Sequence, residues 1–241
     1  MKKLLISAAL IVLPGWAAAA DLSMRAPVYR PASPALAVYG WSGCYLGAQG
    51  GGAFGQSRHD TDFGSTSDSY AISGGVAGGT AGCNYQMSRW VLGLEGDFSW
   101  TSKRGSAIEL APFPATFTSQ TRENWLGTVR GRVGFAADRW LFYVTGGYAV
   151  AAVEAGIVNP VIGLDVTDTK IRNGFTVGAG IEGVISGPWS AKLEYLYVGL
   201  QNASYFDVPP PAVFARTGVP ISDNIFRAGI NYHFGGPVAG K

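Results

Sequence analysis

WVLGLEGDFSW, residues 90–100, alternates two kinds of residue along its whole length. Trp90, Leu92, Leu94, Gly96, Phe98 and Trp100 form one set, and Val91, Gly93, Glu95, Asp97 and Ser99 form the other. Successive side chains of a β-strand point to opposite faces. The period of two therefore predicts a strand with one broad apolar face, aromatic at both ends, and one small or charged face. The pattern returns four times. In 125–135, Trp125, Val129, Val133 and Phe135 oppose Thr128, Arg130 and Arg132. In 174–183, Phe175, Val177, Ala179 and Ile181 oppose Thr176, Gly178, Gly180 and Glu182. In 189–197, Trp189, Ala191, Leu193, Tyr195 and Tyr197 oppose Ser190, Lys192 and Glu194. In 225–234, Phe226, Ala228, Ile230, Tyr232 and Phe234 oppose Arg227, Gly229, Asn231 and His233.

Tryptophan sets the larger period. Trp41, Trp90, Trp140 and Trp189 are spaced 49, 50 and 49 residues apart. The last three each follow a short turn-like segment, at 87–89, 137–139 and 186–188, and each of the four opens an extended run. A period near fifty also suits the blades of a propeller, which hold four strands each. Here each unit reads as a strand, a long polar loop, a second strand and a tight turn, so four units predict eight antiparallel strands. Polar loops are expected around 57–68, 102–123, 151–172 and 199–222, with Lys103 in the second. Short turns at one end and long loops at the other are the asymmetry of a transmembrane β-barrel, turns in the periplasm. Trp41, Trp90, Trp140 and Trp189 are then expected at the periplasmic interface and Trp100 and Trp125 at the outer one, where amphipathic rings favour the headgroup level. In strands 1 and 2, about 41–54 and 69–86, glycine blurs the alternation and leaves the register open.

Composition agrees with a membrane surface. Only 14% of residues are charged, 47% are hydrophobic, and 35 of 241 are glycine, whereas a water-soluble domain is about 25% charged. Lys2 and Lys3, the apolar run from Leu4 to Trp16 and the small residues Ala17 to Ala20 form the pattern of a secretory signal, residues 1–20. Residues 21–39, with Pro27, Pro31 and Pro34, read as a flexible periplasmic segment. The barrel is expected over 40–234, followed by a short tail, 235–241. Without Lys2 and Lys3 the formal charge of +2 falls to zero, and no basic stripe points to nucleic acid. After the signal no apolar run reaches the roughly 18 residues of a spanning helix. Because backbone polar groups in hydrocarbon must be paired, a closed barrel is the remaining way to span.

These segments resemble the small alphaproteobacterial outer-membrane proteins of the opacity-like β-barrel class, sometimes labelled porin family proteins. The matching pieces are WSGCYLGAQGG at 41–51, GCNYQ at 82–86, RWVLGLEGDFSW at 89–100, DRWLFYVTGGYA at 138–149, WSAKLEYLYVG at 189–199 and FRAGINYHF at 226–234. The resemblance implies an eight-stranded barrel in the bacterial outer membrane with envelope-structural and antigenic surface roles. Partners implied are outer-membrane lipid, the barrel-assembly machinery, and host, phage or envelope components met by the outer loops. Such barrels commonly end on an aromatic residue; here Tyr232, His233 and Phe234 are followed by GGPVAGK.

Eight charges fall on the inward face: Glu95, Asp97, Glu182 and Glu194 against Arg130, Arg132, Lys192 and Arg227. Paired carboxylates serve general acid–base catalysis, but four acids balanced by four bases in a narrow lumen read as a mutually satisfied ion-pair network. Counted from the turns, Glu95 stands level with Arg130 and Glu182 with Lys192, so these pairs are expected to bridge. A hydrolase needs a nucleophile beside a histidine held by a third group. His59 stands alone in an outer loop, and His233, at the periplasmic end of the last strand, offers no such cluster on the outer rim. No enzyme, cofactor or metal cage is expected from this inventory. Cys44 and Cys83, two cysteines in an exported chain, predict a disulfide with Cα atoms about 4.4–6.8 Å apart. The alternative to a plugged structural barrel is a narrow channel for small solutes.

Overall fold

The computed structural model describes residues 39–57, 60–61, 64–65, 67–109, 115–205, 217–218 and 221–234. The signal, the proline-rich segment up to residue 38, His59 and the tail from 235 lie outside the described residues. Eight long strands make the wall: β1 (Gly43–Ser57), β2 (Tyr70–Met87), β3 (Trp90–Thr101), β4 (Thr118–Ala137), β5 (Trp140–Asn159), β6 (Leu164–Ser186), β7 (Trp189–Leu200) and β8 (Ile221–Phe234). Each pairs antiparallel with the next, and β1 closes on β8 from Cys44 opposite Phe234 to Ser57 opposite Ile221. Closure leaves no sheet edge, which satisfies the backbone inside hydrocarbon.

The alternation read from sequence is the alternation of the wall. Trp90, Leu94, Trp100, Trp140, Phe142, Leu193, Phe226 and Ile230 are exposed on the outside, as suits a surface solvated by lipid. Turns of two residues join β2 to β3, β4 to β5 and β6 to β7, with Ser88, Asp138 and Gly187 at positive φ. The register of the first hairpin, unreadable in the sequence, sets Gly47 opposite Thr80 and Gly51 opposite Val76. Its inward positions are Tyr45, Gly47, Gln49 and Gly51 on β1 and Val76, Gly78, Thr80 and Asn84 on β2.

Two of the expected loops are largely strand. Around 151–172 the chain is an extended hairpin, β5 and β6 paired up to Asn159 opposite Leu164. Val153, Ala155 and Ile157 are buried inside it, so the inward alternation of a strand continues through the segment expected to be a loop. Within 102–123 a short strand, Arg104–Ile108, pairs with the start of β4. A small outer sheet ties the other two connections, with 204–205, 217–218, 60–61 and 64–65 as its strands. A membrane strand needs about 9–11 residues. The 20 and 23 residues of β5 and β6 therefore carry the wall well beyond the outer interface.

Candidate functional site

The lumen is the candidate site, and it is layered. At the periplasmic mouth Tyr39, Trp41, Val91, Ala136, Leu141 and Tyr143 form an apolar plug. Trp41 is 0% exposed and stands 5.7 Å, ring to ring, from His233. Trp41 is thus not in the periplasmic aromatic belt with Trp90, Trp140 and Trp189, where the fifty-residue period put it. It shares the parity of Tyr45 and Gln49, the inward residues of β1, so the chain enters the barrel with this ring turned inside. Its amide donates to Gln86 Oε1 at 2.7 Å, which fixes the entry. Trp100 and Trp125 face each other across β3 and β4 on the outer wall. Phe98 stacks on Trp125 with centroids 5.7 Å apart.

Above the plug all eight inward charges are buried and joined. Arg130 Nη2 bonds Glu95, and reaches Asp97 Oδ2 at 2.9 Å; its Nη1 donates to Glu194 Oε1 at 3.0 Å. Arg227 Nε donates to Glu194 Oε2 at 2.7 Å and Nη1 to Asp97 Oδ1 at 2.9 Å. Arg132 Nη1 donates to Glu182 Oε2 at 3.2 Å, and its guanidinium lies 4.8 Å from the Tyr45 ring centroid and 5.2 Å from that of Tyr143. Glu95 does face Arg130 across the ladder. Lys192 faces Glu182, but its Nζ contacts Glu95 Oε2 at 3.1 Å instead of bridging within the hairpin. The long lysine stem crosses the narrow lumen, where Glu95 also receives Tyr45 Oη at 2.5 Å. Asn84 accepts from Arg132 Nε at 2.8 Å and Tyr143 Oη donates to Glu194 Oε1 at 3.1 Å. Every strand of the barrel thus sends at least one side chain into the network.

At the lower edge of this network Ser190, His233 and Glu182 meet. Ser190 Oγ donates to Glu182 Oε1 at 2.6 Å and lies 3.0 Å from His233 Nε2. The same Glu182 oxygen is 3.1 Å from that Nε2. A hydrolytic relay sets serine and acid on opposite ring nitrogens. Here both crowd one nitrogen, behind Trp41 and Tyr39, so the cluster holds the plug and does not form a nucleophile. Sequence reasoning missed it because residues 43 and 51 positions apart give no spacing signal.

Higher in the lumen apolar residues of mixed size fill the space, among them Ala53, Val76, Leu126, Ala151, Leu196 and Ile225. Lys103 lies in this outer half, not in a solvated loop. Its Nζ is 2.7 Å from Glu123 Oε2 and 2.6 Å from Asp223 Oδ2, and all three side chains are fully buried. The alternation of β8 continues past the aromatic belt and would have located Asp223 as inward. In β4 an irregularity between Glu123 and Trp125 shifts the parity, so strict alternation would have set Glu123 outward with Trp125.

Cys44 and Cys83 form a disulfide near the periplasmic end of the first hairpin, on its outer face. Their Cα atoms, directly opposite each other in the ladder, are 3.9 Å apart, below the window expected from sequence. Among the described residues no group of three histidine, cysteine or acidic side chains is arranged to hold a metal.

A closed eight-stranded antiparallel ring, apolar and aromatic outside and polar within, is the architecture of an integral outer-membrane β-barrel. The chain belongs to the outer membrane protein beta-barrel domain family, whose model matches residues 31–234. It is 31% identical over 246 residues to the 31 kDa outer-membrane immunogenic protein of Brucella melitensis, covering 97% of this chain and 100% of that one. The 22 kDa outer membrane protein of Rhizobium leguminosarum is 30% identical over 174 residues, 72% of this chain and 71% of the relative. Among solved structures, the outer membrane protease OmpT from Escherichia coli superposes with a TM-score of 0.51 at 11% identity, covering 81% of this chain and 98% of that one. That likeness concerns the fold alone. The protein resides in the outer membrane, as its relatives' names state of them.

Proposed function

We propose that the protein is a plugged structural barrel: it stabilises the outer membrane, displays its long hairpins outside, conducts no solute and catalyses no reaction. The observation that carries this reading is the ion-pair network, in which Arg130 alone touches three carboxylates. Charges held this way leave no continuous water path, since each guanidinium and carboxylate fills the lumen and is desolvated by its neighbours. The apolar plug below adds a barrier to ions, because a narrow hydrophobic constriction dewets, and the outer half is filled by apolar side chains around the paired Lys103, Glu123 and Asp223. A role for the outer hairpins in meeting host, phage or envelope partners is supported by their reach beyond the belt and by the word "immunogenic" in relatives' names. Residues 1–20 act in this reading as an export signal, with the mature chain beginning near Asp21 and the barrel-assembly machinery receiving residues 40–234. Liposomes loaded with sugars of graded size and carrying the refolded protein test the closed lumen. The reading expects swelling no faster than in protein-free vesicles, and rapid swelling with the smallest sugars would replace it with a narrow channel. Edman sequencing that found Met1 on protein from the outer-membrane fraction would remove the export signal from it.

A further inference from the structure

On the outer wall, just beyond the facing pair Trp100 and Trp125, a second facing pair is formed by Arg104 and Arg122. Both side chains are exposed and share the outward parity of Ser106 and Gln120. Like charges directly opposite on one sheet face repel, so this pair opposes the strand pairing that makes it. Compensation within the chain is thin. Arg122 Nη1 lies 3.7 Å from Glu154 Oε1 with its side chain 49% exposed, and among the described residues no carboxylate pairs with Arg104.

The two arginines rim a concavity of about 250 Å³ whose floor is Gly156. A side chain there would meet Thr167 Cγ2 at 3.2 Å and Gln120 Cβ at 3.8 Å, so glycine keeps the floor low between two polar walls. Ser106, Gln120 and Thr167 line it and supply neutral donors, and Glu154 also lines it, its one carboxylate offset by the two guanidinium groups. We propose that this concavity binds the phosphate of an anionic lipid in the outer leaflet, with Arg104 and Arg122 as paired guanidinium donors. Guanidinium groups match phosphate oxygens in two-pronged geometry, and two of them from facing strands converge on one anion. The height fits a lipid. The tryptophan pair immediately below marks the headgroup level, and below it the apolar surface of Phe98 and Trp125 faces the acyl chains. A free anion would meet only exposed, salt-screened arginines. A lipid phosphate is already held at that height by its own chains, which raises its effective concentration.

Native mass spectrometry of the refolded full mature chain in detergent, with bis-phosphorylated lipid A as the probe, tests the assignment. The wild type should retain one lipid, and the double variant R104Q/R122Q should retain it about tenfold less or weaker still. Lipid A stripped of both phosphates should behave with the wild type as intact lipid A does with the variant. Arg89→Gln, exposed at a periplasmic turn, should bind as the wild type does. An unchanged far-ultraviolet spectrum and heat-shifted electrophoretic band show that the double variant is folded. Equal retention by the double variant, or equal retention of the stripped lipid, would overturn the proposal. Displacement of the lipid by inorganic phosphate at salt-matched ionic strength would also overturn it, assigning the site to a free anion.

Discussion

Arg130 touches three carboxylates, and its removal leaves Glu95 to Lys192 and leaves Asp97 and Glu194 to share Arg227, with one buried negative charge uncompensated. Breaking a buried pair from one side costs about 3–5 kcal/mol, most of it the desolvation of the charge left behind. Arg130→Ala should therefore lower the thermal unfolding midpoint of the refolded barrel well below that of Arg89→Ala, a change at an exposed turn. Equal midpoints would mean that water already screens the network. Lys103 is no neutral comparison, because its ammonium bridges Glu123 and Asp223. Glycine makes a second residue-scale prediction. A Cβ at inward Gly51 would lie 2.0 Å from Phe226 O and 2.7 Å from Arg227 Cα. At outward Gly52 it would meet only the Phe54 ring, at 3.5 Å. Gly51→Ala should destabilise by about 1–3 kcal/mol, as overpacking does, or block assembly, while Gly52→Ala behaves as the wild type. Urea titrations in the same detergent distinguish the two.

At the scale of the element, the first hairpin combines the features hardest to read and easiest to test. Glycine and alanine occupy both of its faces, so no hydrophobic set marks inside from outside, and only pairing with β3 and β8 decides the register. The strands whose outward residues are bulky, β3, β4, β6, β7 and β8, were legible for the opposite reason. The repeat of tryptophans misled at Trp41, because equal spacing along the chain ignores the parity that turns this ring inward. The difference is measurable with single-tryptophan variants in bilayers of brominated lipid: Trp189 fluorescence should be quenched strongly and Trp41 fluorescence hardly at all. Equal quenching would return Trp41 to the belt. The inward charges were legible because the alternation of five strands exposes them, whereas the partners chosen by Lys192 and His233 depend on reach across the lumen, which no spacing encodes. The disulfide joins residues 39 positions apart at the periplasmic end of β1 and β2. A thiol reagent added to the denatured, unreduced protein should label nothing, and reduction should lower stability by about 2–4 kcal/mol. Two labelled thiols per chain would show that the bridge is absent.

For the whole molecule, three interior layers stand in series: the Tyr39 and Trp41 plug, the ion-pair network and the apolar residues of the outer half. The plug blocks passage by steric filling, the network by charges already neutralised, and the outer half by apolar packing around the paired Lys103, Glu123 and Asp223. Outside the glycine-rich first hairpin, the outer wall follows one rule, apolar side chains between aromatic ends, which suits a protein dissolved in lipid. The eight-stranded ring and its place in the outer membrane were legible because most strands repeat this outside. The long extracellular hairpin of β5 and β6 was not, since its runs of small apolar residues carry no aromatic ends and its tip holds Asn159, Pro160 and Gly163, while inward Val153, Ala155 and Ile157 keep the strand period. If the layers close the lumen as proposed, opening it should require more than the loss of one side chain. The direct measurement is single-channel recording of the refolded wild type in planar bilayers at moderate salt. The account predicts a flat baseline with no steady openings across the voltage range; a large, lasting conductance step for each inserted molecule would contradict it.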